Sequence, residues 1–372
     1  MLYSPTFRLY FITCILLLTG WITPSKTQAQ DVRYAEFFEE AYKTYPSVPR
    51  GLLEAVAYTN TRINHVKPGG IGSCMALPEY YGVMGLVADG KGYFQNSLLR
   101  VSELSGYKVR DIMDDPRTNI LAYAAAYAAM QQNKRMTARS VTQQEPVMGE
   151  LSEIPLDGSS HNKFALDQQF YAVLNEMQSP HSGTRHRTRQ AFNFEEIFGR
   201  ETYQRLSASR LTLNRTSTRA VTASSDPMPC TASNKKVDYF GSIKDIAHTR
   251  NWGSRGSAEI EHVVIHTIQG SYASAISWFK NPNARVSAHY IIRAFDGQIT
   301  QMVCERDKGY HVRTDNGTAI GLEHEGFIDE GGSWYTNEMY ESSAALVRDI
   351  CRRHGIDPLK TFGGPPTNGT RT

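Results

Sequence analysis

The periodicity of apolar residues changes partway along the chain, from a helical pattern to a mixture of strand and helix patterns. Apolar residues recur at helical spacing over 34–42, 119–130 and 164–177. A further helix is predicted over 47–57, where a serine and a proline stand at the start, as is typical of a helix beginning. Residues 31–178 are therefore predicted to be mostly helical.

From residue 237 onward the pattern is that of an α/β protein. The predicted elements are a strand at 261–267, a helix at 272–280, strands at 289–295, 298–303 and 319–325, and a helix at 337–354. Asp296-Gly297 separates two of these strands and is a strong hairpin signal. Gly355 follows three basic residues and is typical of a helix end. The predicted fold class is α+β with two domains, the first mostly α and the second α/β with a mixed sheet.

The segment between these two regions, residues 181–236, has a different composition. It is rich in Arg, Ser and Thr, and from Arg185 to Arg219 there are eight arginines against three acidic residues. This composition is typical of a solvated linker, here with one short helix near 192–198. A second interpretation is that the basic residues rest on an anionic wall polymer or a membrane surface.

Residues 1–29 have the features of a secretory signal. Arg8 precedes an apolar run over 9–22, and Thr27-Gln28-Ala29 offers small residues for cleavage. The run is short for a spanning helix, so we expect no stable membrane span after its removal and a secreted or periplasmic protein. Without this segment, 38 basic residues face 37 acidic ones, a net charge of +1. Such a balance gives no electrostatic indication of nucleic-acid binding.

Four cysteines remain once Cys14 is removed with the signal. Export permits disulfides, and Cys74, Cys230, Cys304 and Cys351 allow three pairings. No cysteine has CxxC or CxH spacing. Buried or disulfide-bonded thiols are therefore predicted rather than a zinc site built from cysteines.

Two polar residues, His266 and Glu323, each close a run of apolar β-formers. Strand ends are where active sites lie in open α/β sheets. An imidazole can bind a metal, and a carboxylate can move a proton, so the pair suggests metal-assisted hydrolysis. The alternative for a single strand histidine is a structural residue with satisfied hydrogen bonds.

The alternation of side chains along a strand separates these residues from their neighbours. Glu323 and Glu325 share one face, whereas His324 points to the other. His262 shares a face with His266, but four residues of extended strand separate them by about 13 Å. Neither His324 nor His262 is therefore expected to join the site.

Residues 261–357 resemble the zinc-dependent N-acetylmuramoyl-L-alanine amidases, a family that includes peptidoglycan-recognition proteins. The matching pieces occur in the family's order: Val263-Val264-Ile265-His266-Thr267, Val286-Ser287-Ala288-His289-Tyr290-Ile291-Ile292, Asp296-Gly297-Gln298-Ile299, Gly309-Tyr310-His311 and Ile320-Gly321-Leu322-Glu323. The resemblance implies that His266 is a zinc ligand and that Glu323 is the catalytic acid and base. It also implies that Ser287, His289 and His311 line the substrate groove. The implied reaction is hydrolysis of the amide between N-acetylmuramic acid and L-alanine in peptidoglycan by a zinc-activated water.

The sequence departs from this family after the last helix. The family supplies its second histidine ligand and a third ligand there, in a Gly-His element followed by an Asp-Pro-Gly element. Residues 357–372 contain no histidine. We interpret the chain as a truncated form of a longer amidase, inactive if the missing ligands are required. The alternative is a non-catalytic peptidoglycan-binding protein.

The helical region resembles the lysozyme-like lytic transglycosylases through its segments 51–57, 82–86 and 115–120. In that family the first helix ends in Glu-Ser, and this glutamate is the general acid. Asn60-Thr61 stands at that position, and an amide cannot protonate a glycosidic oxygen. Glu54 faces elsewhere on the helix. Glu79, in a loop, is left as an alternative general acid. We expect a degenerate domain that holds glycan without cleaving it; the alternative is a domain that only packs. The predicted organisation is a signal peptide at 1–29, a lysozyme-like domain at 30–180, a linker at 181–236 and a truncated amidase domain at 237–372.

Overall fold

A computed structural model of the chain describes residues 26–69, 72–134, 140–180, 191–208, 230–234 and 236–360. Most of the predicted signal segment lies outside these ranges. Within them, no helix combines the length and the apolar character that crossing a bilayer requires.

The first half of the described chain is mostly helical, as predicted. Its helices are α1 (Lys26–Thr44), α2 (Leu52–Thr61), α3 (Ser97–Ser105), α4 (Val109–Asp114), α5 (Pro116–Asn133), α6 (Glu145–Leu151) and α7 (Ser160–Gln178), with a short hairpin of β1 (Glu79–Tyr81) and β2 (Leu86–Ala88). Local sequence explains the start of α5: the Asp115 side chain accepts a hydrogen bond from the Thr118 N–H, and Pro116 occupies the first turn. The central helix α5 is buried along most of its length, so the core of this region forms around it.

The second half contains a mixed five-stranded sheet, as predicted. Its strands are β3 (Ser242–Lys244), β5 (His262–Thr267), β6 (Tyr290–Ile292), β7 (Ile299–Gln301) and β9 (Ala319–His324), in the order β3-β7-β6-β9-β5. A separate antiparallel pair is formed by β4 (Trp252–Ser254) and β8 (Asp307–Gly309). Strands β6 and β7 form the predicted antiparallel hairpin, with Gly297 at a φ of +69° in its turn. The entirely buried β9 lies between β5 and β6 and runs parallel to both.

Helices cover both faces of this sheet. One face packs against α10 (Tyr272–Lys280), and the other packs against the short α11 (Gly331–Trp334) and the long α12 (Asn337–His354). The bounds of α12 are those predicted, because Thr336 caps its first turn and Gly355, at a φ of +67°, ends it. The two longest elements of this half therefore follow directly from local sequence.

The helical region and the sheet share a core. Met75, Leu77 and Phe94 of the helical region pack with Trp278 and Phe279 of α10. Because large apolar side chains from both regions are buried together, the two halves form one packed body across this face.

Buried polar groups at this interface are also paired across it. The Ser271 hydroxyl donates to Glu153 Oε1 at 2.9 Å, and the Ser277 hydroxyl donates to Asn162 Oδ1 at 2.6 Å. Satisfied buried hydrogen bonds of this kind favour one relative placement of the two regions.

Part of the predicted linker is packed rather than solvated. Residues 191–208 form α8 (Phe194–Phe198), which matches the predicted short helix, and α9 (Arg200–Leu206), which was not predicted. Phe194 and Leu206 join the core of the helical region, and the Leu206 carbonyl accepts a hydrogen bond from Arg293 at 2.8 Å. Residues 181–190 and 209–229 of that segment lie outside the described ranges.

One disulfide joins Cys230 to Cys304, with their Cα atoms 5.6 Å apart. This is one of the three pairings that the sequence left open. In the described part of the chain, Cys74 and Cys351 remain as free thiols.

Candidate active site

The parallel pairing of β5 with β9 places His266 directly opposite Glu323. Both residues lie near the carboxyl ends of their strands, so the sheet brings the two predicted residues together. Glu323 is fully buried, whereas His266 is partly exposed. The site therefore has a buried carboxyl group beneath a solvent-accessible imidazole.

A second histidine, His311, orients the His266 ring. His311 Nδ1 lies 3.2 Å from His266 Nε2, and the two rings meet edge to face. Burial lowers the pKa of His266 to about 4 and holds the pKa of His311 well below its ordinary value, so both rings are neutral at pH 7. If His266 Nε2–H donates to His311, the lone pair of His266 Nδ1 is free to bind a metal.

Gly321 makes room for this arrangement. A Cβ atom at position 321 would lie 2.6 Å from His311 Nδ1, which is closer than side chains approach. The glycine of the Ile320-Gly321-Leu322-Glu323 motif is therefore required for the His311 ring to reach His266.

Glu323 is held in an environment that does not favour its charge. Its Oε2 atom is buried and has no hydrogen-bond partner among the described residues. Burial raises the pKa of this carboxyl group to about 8. An unsatisfied buried oxygen of this kind is expected where a cation or a substrate group binds.

A residue that the sequence analysis did not place in the site, Cys74, completes the group. Its Sγ atom lies 3.7 Å from His266 Nδ1 and 4.0 Å from Glu323 Oε1. Much of the Cys74 residue is exposed, but its sulfur faces the site, where loss of hydration and the Glu323 carboxylate raise the pKa of the thiol to about 12. Cysteine spacing gave no sign of this contact, since 192 positions separate Cys74 from His266.

The structure places Ser287 and His289, which the resemblance assigned to the substrate groove, behind the strands of the site. Both are fully buried. The Ser287 hydroxyl donates to the Asn251 carbonyl at 2.7 Å. His289 Nδ1 accepts from the Gly321 N–H at 3.0 Å, and its Nε2 lies 3.1 Å from the Asp307 carbonyl. His289 packs edge to face against His311, and His311 in turn lies against His266.

The strand alternation predicted for β9 is confirmed for His324. Its Nε2 lies 2.8 Å from the Ser343 hydroxyl of α12, on the face away from Cys74. Glu325 accepts backbone N–H groups of Tyr272 and Ala294 at 2.9 and 2.8 Å. Neither residue is available as a ligand beside Glu323.

The donor set at this site suits a zinc ion. His266, Cys74 and Glu323 offer one nitrogen, one sulfur and one oxygen atom, all within 4.8 Å of one another. Zinc binds these three donor types. A second group, Cys230 and Cys304 with Asp238, is not comparable because its two cysteines form the disulfide.

Asn60, the residue at the transglycosylase acid position, has a structural role. Its side-chain N–H donates to the Met84 carbonyl at 3.0 Å, and its Cβ packs against Gly85. Of the two other carboxylates considered, Glu54 accepts a hydrogen bond from Tyr42, and Glu79 accepts one from Tyr81. Both of these carboxylates are therefore engaged by tyrosine hydroxyls.

Comparison with known proteins gives a consistent assignment for the sheet region. Residues 256–368 match the family described as N-acetylmuramoyl-L-alanine amidase. The chain is 43% identical over 129 residues to N-acetylmuramoyl-L-alanine amidase A of Achromobacter lyticus, a match that spans 35% of this chain and 72% of the relative.

Two solved structures are also similar in part. The endolysin amidase LysCS of Clostridium intestinale is 18% identical with a TM-score of 0.26, and the match covers 33% of this chain and 80% of that one. A mutant endolysin from Bacillus subtilis is 20% identical with a TM-score of 0.24, and the match covers 31% and 77% of the two chains.

Proposed function

The chain belongs to the N-acetylmuramoyl-L-alanine amidase family, a family of peptidoglycan amidases, and we propose that His266 binds its metal and that Glu323 carries its proton. The observation that carries this proposal is the pairing of His266 with Glu323 across β5 and β9, together with the unpartnered Glu323 Oε2.

The metal that suits these donors is zinc. His266 would hold it through Nδ1, with His311 accepting the other ring N–H and fixing the tautomer. When bound, zinc supplies a Lewis acid that polarises the amide carbonyl and lowers the pKa of water.

Glu323 carries the proton in this reaction. Its carboxylate accepts a proton from the attacking water, whose oxygen bonds to the lactyl carbonyl carbon of N-acetylmuramic acid. The carbon–nitrogen bond then breaks, and Glu323 delivers the proton to the leaving nitrogen of L-alanine. The raised pKa of Glu323, about 8, is near the value at which one group can both accept and return a proton at neutral pH.

The helical region is proposed to support the amidase rather than to cleave glycan. Asn60 lacks the acid that the lysozyme-like resemblance requires, and its amide is bonded to the backbone. The pocket beside Asn60 is shared with Arg293 and Tyr272 of the sheet region, so this end of α2 faces the other half of the molecule. Of the two alternatives for this region, the observations favour packing over glycan holding.

A secreted or periplasmic location is proposed for the protein. The Cys230–Cys304 disulfide supports it, because such bonds persist in oxidising compartments. Peptidoglycan, the substrate of this family, lies in the same compartments.

Digestion of purified peptidoglycan by wild-type protein and by Glu323→Gln tests this proposal. The variant should lose about 10²–10⁴-fold in the release of stem peptides while still pelleting with the insoluble wall. Glu259→Gln, at an exposed position of the same region, is the matched control and should keep full activity.

Two outcomes would count against the proposal. Unchanged peptide release by Glu323→Gln would remove Glu323 as the proton carrier. Wall binding by the wild type without any peptide release, in the presence of zinc, would favour the non-catalytic peptidoglycan-binding alternative.

A further inference from the structure

Cys74 belongs to the helical region, yet its sulfur lies against the amidase site of the sheet. We propose that Cys74 is a thiolate ligand of the metal at this site, supplied by the segment 72–77. The inference rests on the proposed function, because it assumes that His266 binds a metal. It adds a ligand from outside the sheet region, in a part of the chain that the amidase family match does not include.

The distances fit a shared ion. Zinc binds sulfur at about 2.3 Å and nitrogen at about 2.1 Å, so two such ligands of a tetrahedral ion lie about 3.6 Å apart. Cys74 Sγ and His266 Nδ1 are 3.7 Å apart. The nearest Glu323 oxygen is 4.0 Å from the sulfur, and all three donors lie within 4.8 Å of one another.

A second observation at the same place is independent of the cysteine. Glu323 is fully buried, and its Oε2 has no hydrogen-bond partner among the described residues. The contact between the Cys74 thiol and the His266 imidazole gives Glu323 Oε2 no hydrogen-bond partner. A cation bound between Cys74 and His266 would lie beside the carboxylate and compensate it.

The segment that carries Cys74 is held in place on both sides of the residue. The Ser73 hydroxyl donates to the Ile268 carbonyl at 2.8 Å, just beyond the end of β5. The Trp278 indole N–H donates to the Met75 carbonyl at 2.8 Å, and the Met75 side chain is buried. Cys74 is therefore positioned toward His266 by its two neighbours, which is how rigid ligand sites are built.

Lys91, in the loop that precedes α3, holds the segment at a third point. Lys91 Nζ donates to the Ala76 carbonyl at 2.7 Å. When the sulfur binds the metal, the sulfur–metal bond forms and the thiol proton leaves to solvent, which the exposed side of Cys74 allows. The helical region would in this way become part of the metal site.

Cobalt binding to the full chain tests the inference without relying on activity. Metal-free wild type, Cys74→Ser and Cys351→Ser are titrated with Co²⁺, and the near-ultraviolet thiolate-to-cobalt charge-transfer band is recorded. Cys351 is the other free thiol in the described ranges and is buried in α12, so it is the matched control. Wild type and Cys351→Ser should show the band, and Cys74→Ser should lack it.

Zinc affinity, measured by competition with a chelating dye, gives a second readout. Loss of a residue that supports a ligand weakens metal binding by roughly 10–100-fold. Cys74→Ser removes a ligand itself, so it should weaken zinc binding by at least as much. Zinc should also protect Cys74 from alkylation in wild type, with the modified peptide identified by mass spectrometry.

The outcomes separate this inference from the proposed function. If wild type and Cys74→Ser bind cobalt equally and neither shows the charge-transfer band, the ligand role of Cys74 is overturned while the metal site stands. If wild type binds neither cobalt nor zinc, the metal role of His266 fails as well.

Discussion

At the scale of single residues, Glu323 shows how burial shifts the pKa of a carboxyl group. Its pKa in the folded, metal-free protein is about 8, compared with about 4.3 in an unfolded chain. The unfolded state therefore loses this proton first as the pH rises. The contribution of Glu323 to stability is fully present below about pH 4 and is lost as the pH rises through about 8.

Replacing Glu323 with glutamine should remove this dependence. Glutamine resembles the protonated acid and does not titrate, so metal-free Glu323→Gln should become more stable than wild type as the pH rises from 5 to 8. The gain in free energy of unfolding should reach roughly 3–5 kcal/mol at most. Urea unfolding across this pH range measures it, with the exposed Glu259→Gln as control. A difference from wild type that stays constant with pH would contradict the assigned environment.

His311 is predicted to act on the metal through His266. Because His311 Nδ1 lies 3.2 Å from His266 Nε2, His311→Ala should weaken zinc binding by about 10–100-fold. His262→Ala is a suitable control, since His262 lies at the opposite end of β5 and pairs with Glu261. Equal zinc affinities for the two variants would show that His311 does not orient the ligand.

Sequence reasoning found some site residues and missed others for physical reasons. The positions of His266 and Glu323 follow from strand alternation and from strand ends, which are local properties. Burial of Ser287 and His289 depends on β8, which carries Asp307, and on Asn251, which no local pattern encodes. The position of Cys74 depends on packing between two halves of the chain, and its loop has no periodic signal.

At the scale of elements, α12 is fixed to the segment between β7 and β8 by an ion pair near its carboxyl end. Arg353 donates to Glu305 Oε1 at 2.7 Å, and His354 Nε2 lies 2.7 Å from Glu305 Oε2. Burial alone would raise the pKa of Glu305, but hydrogen bonds from Arg353 and His354 outweigh it and lower the pKa to about 2. The pair therefore stabilises the fold above about pH 4, and that stabilisation is lost as the pH falls through about 2.

Two adjacent arginines of α12 provide a matched test. Arg353→Gln removes the guanidinium that pairs with the buried Glu305 and should cost about 3 kcal/mol of unfolding free energy at pH 7. Arg352→Gln removes a side chain that is 78% exposed and should cost less than about 1 kcal/mol. The Arg353→Gln deficit should shrink as acid protonates Glu305. Equal costs for the two variants in chemical denaturation would contradict this role for the pair.

The elements differ in how far local sequence determines them. The bounds predicted for α10 and α12 agree with the structure because amphipathic spacing and capping residues mark both ends. Strands β3, β4 and β8 have three residues each and were not predicted, since such short segments carry little alternation. Their pairing partners are distant in sequence, so tertiary contacts decide them.

At the scale of the whole molecule, the two regions are joined by a shared core. Trp278 packs with Phe94 and Tyr93, and its indole N–H is bonded to the Met75 carbonyl. The composition of residues 181–236 gave no sign of this, because the contacts are made by α10 and by loops of the helical region.

A single cooperative unfolding transition is predicted from this packing. The described tryptophans, Trp252, Trp278 and Trp334, all lie in the sheet region, whereas most helical residues lie in the first half. Tryptophan fluorescence should therefore report mainly on the sheet region, and far-ultraviolet circular dichroism mainly on the helical region. Their urea transitions should coincide. Two separate midpoints would show that the regions fold independently.

The most direct test of the account is to locate the oxygen that water adds to peptidoglycan. Peptidoglycan is digested in H₂¹⁸O with zinc-loaded wild type and with Glu323→Gln, and the products are analysed by mass spectrometry. The account predicts ¹⁸O in the lactyl carboxylate of N-acetylmuramic acid, free L-alanine amino termini, intact glycan strands, and little product from the variant. Label at the reducing end of the glycan, or in a stem-peptide carboxylate alone, would contradict it.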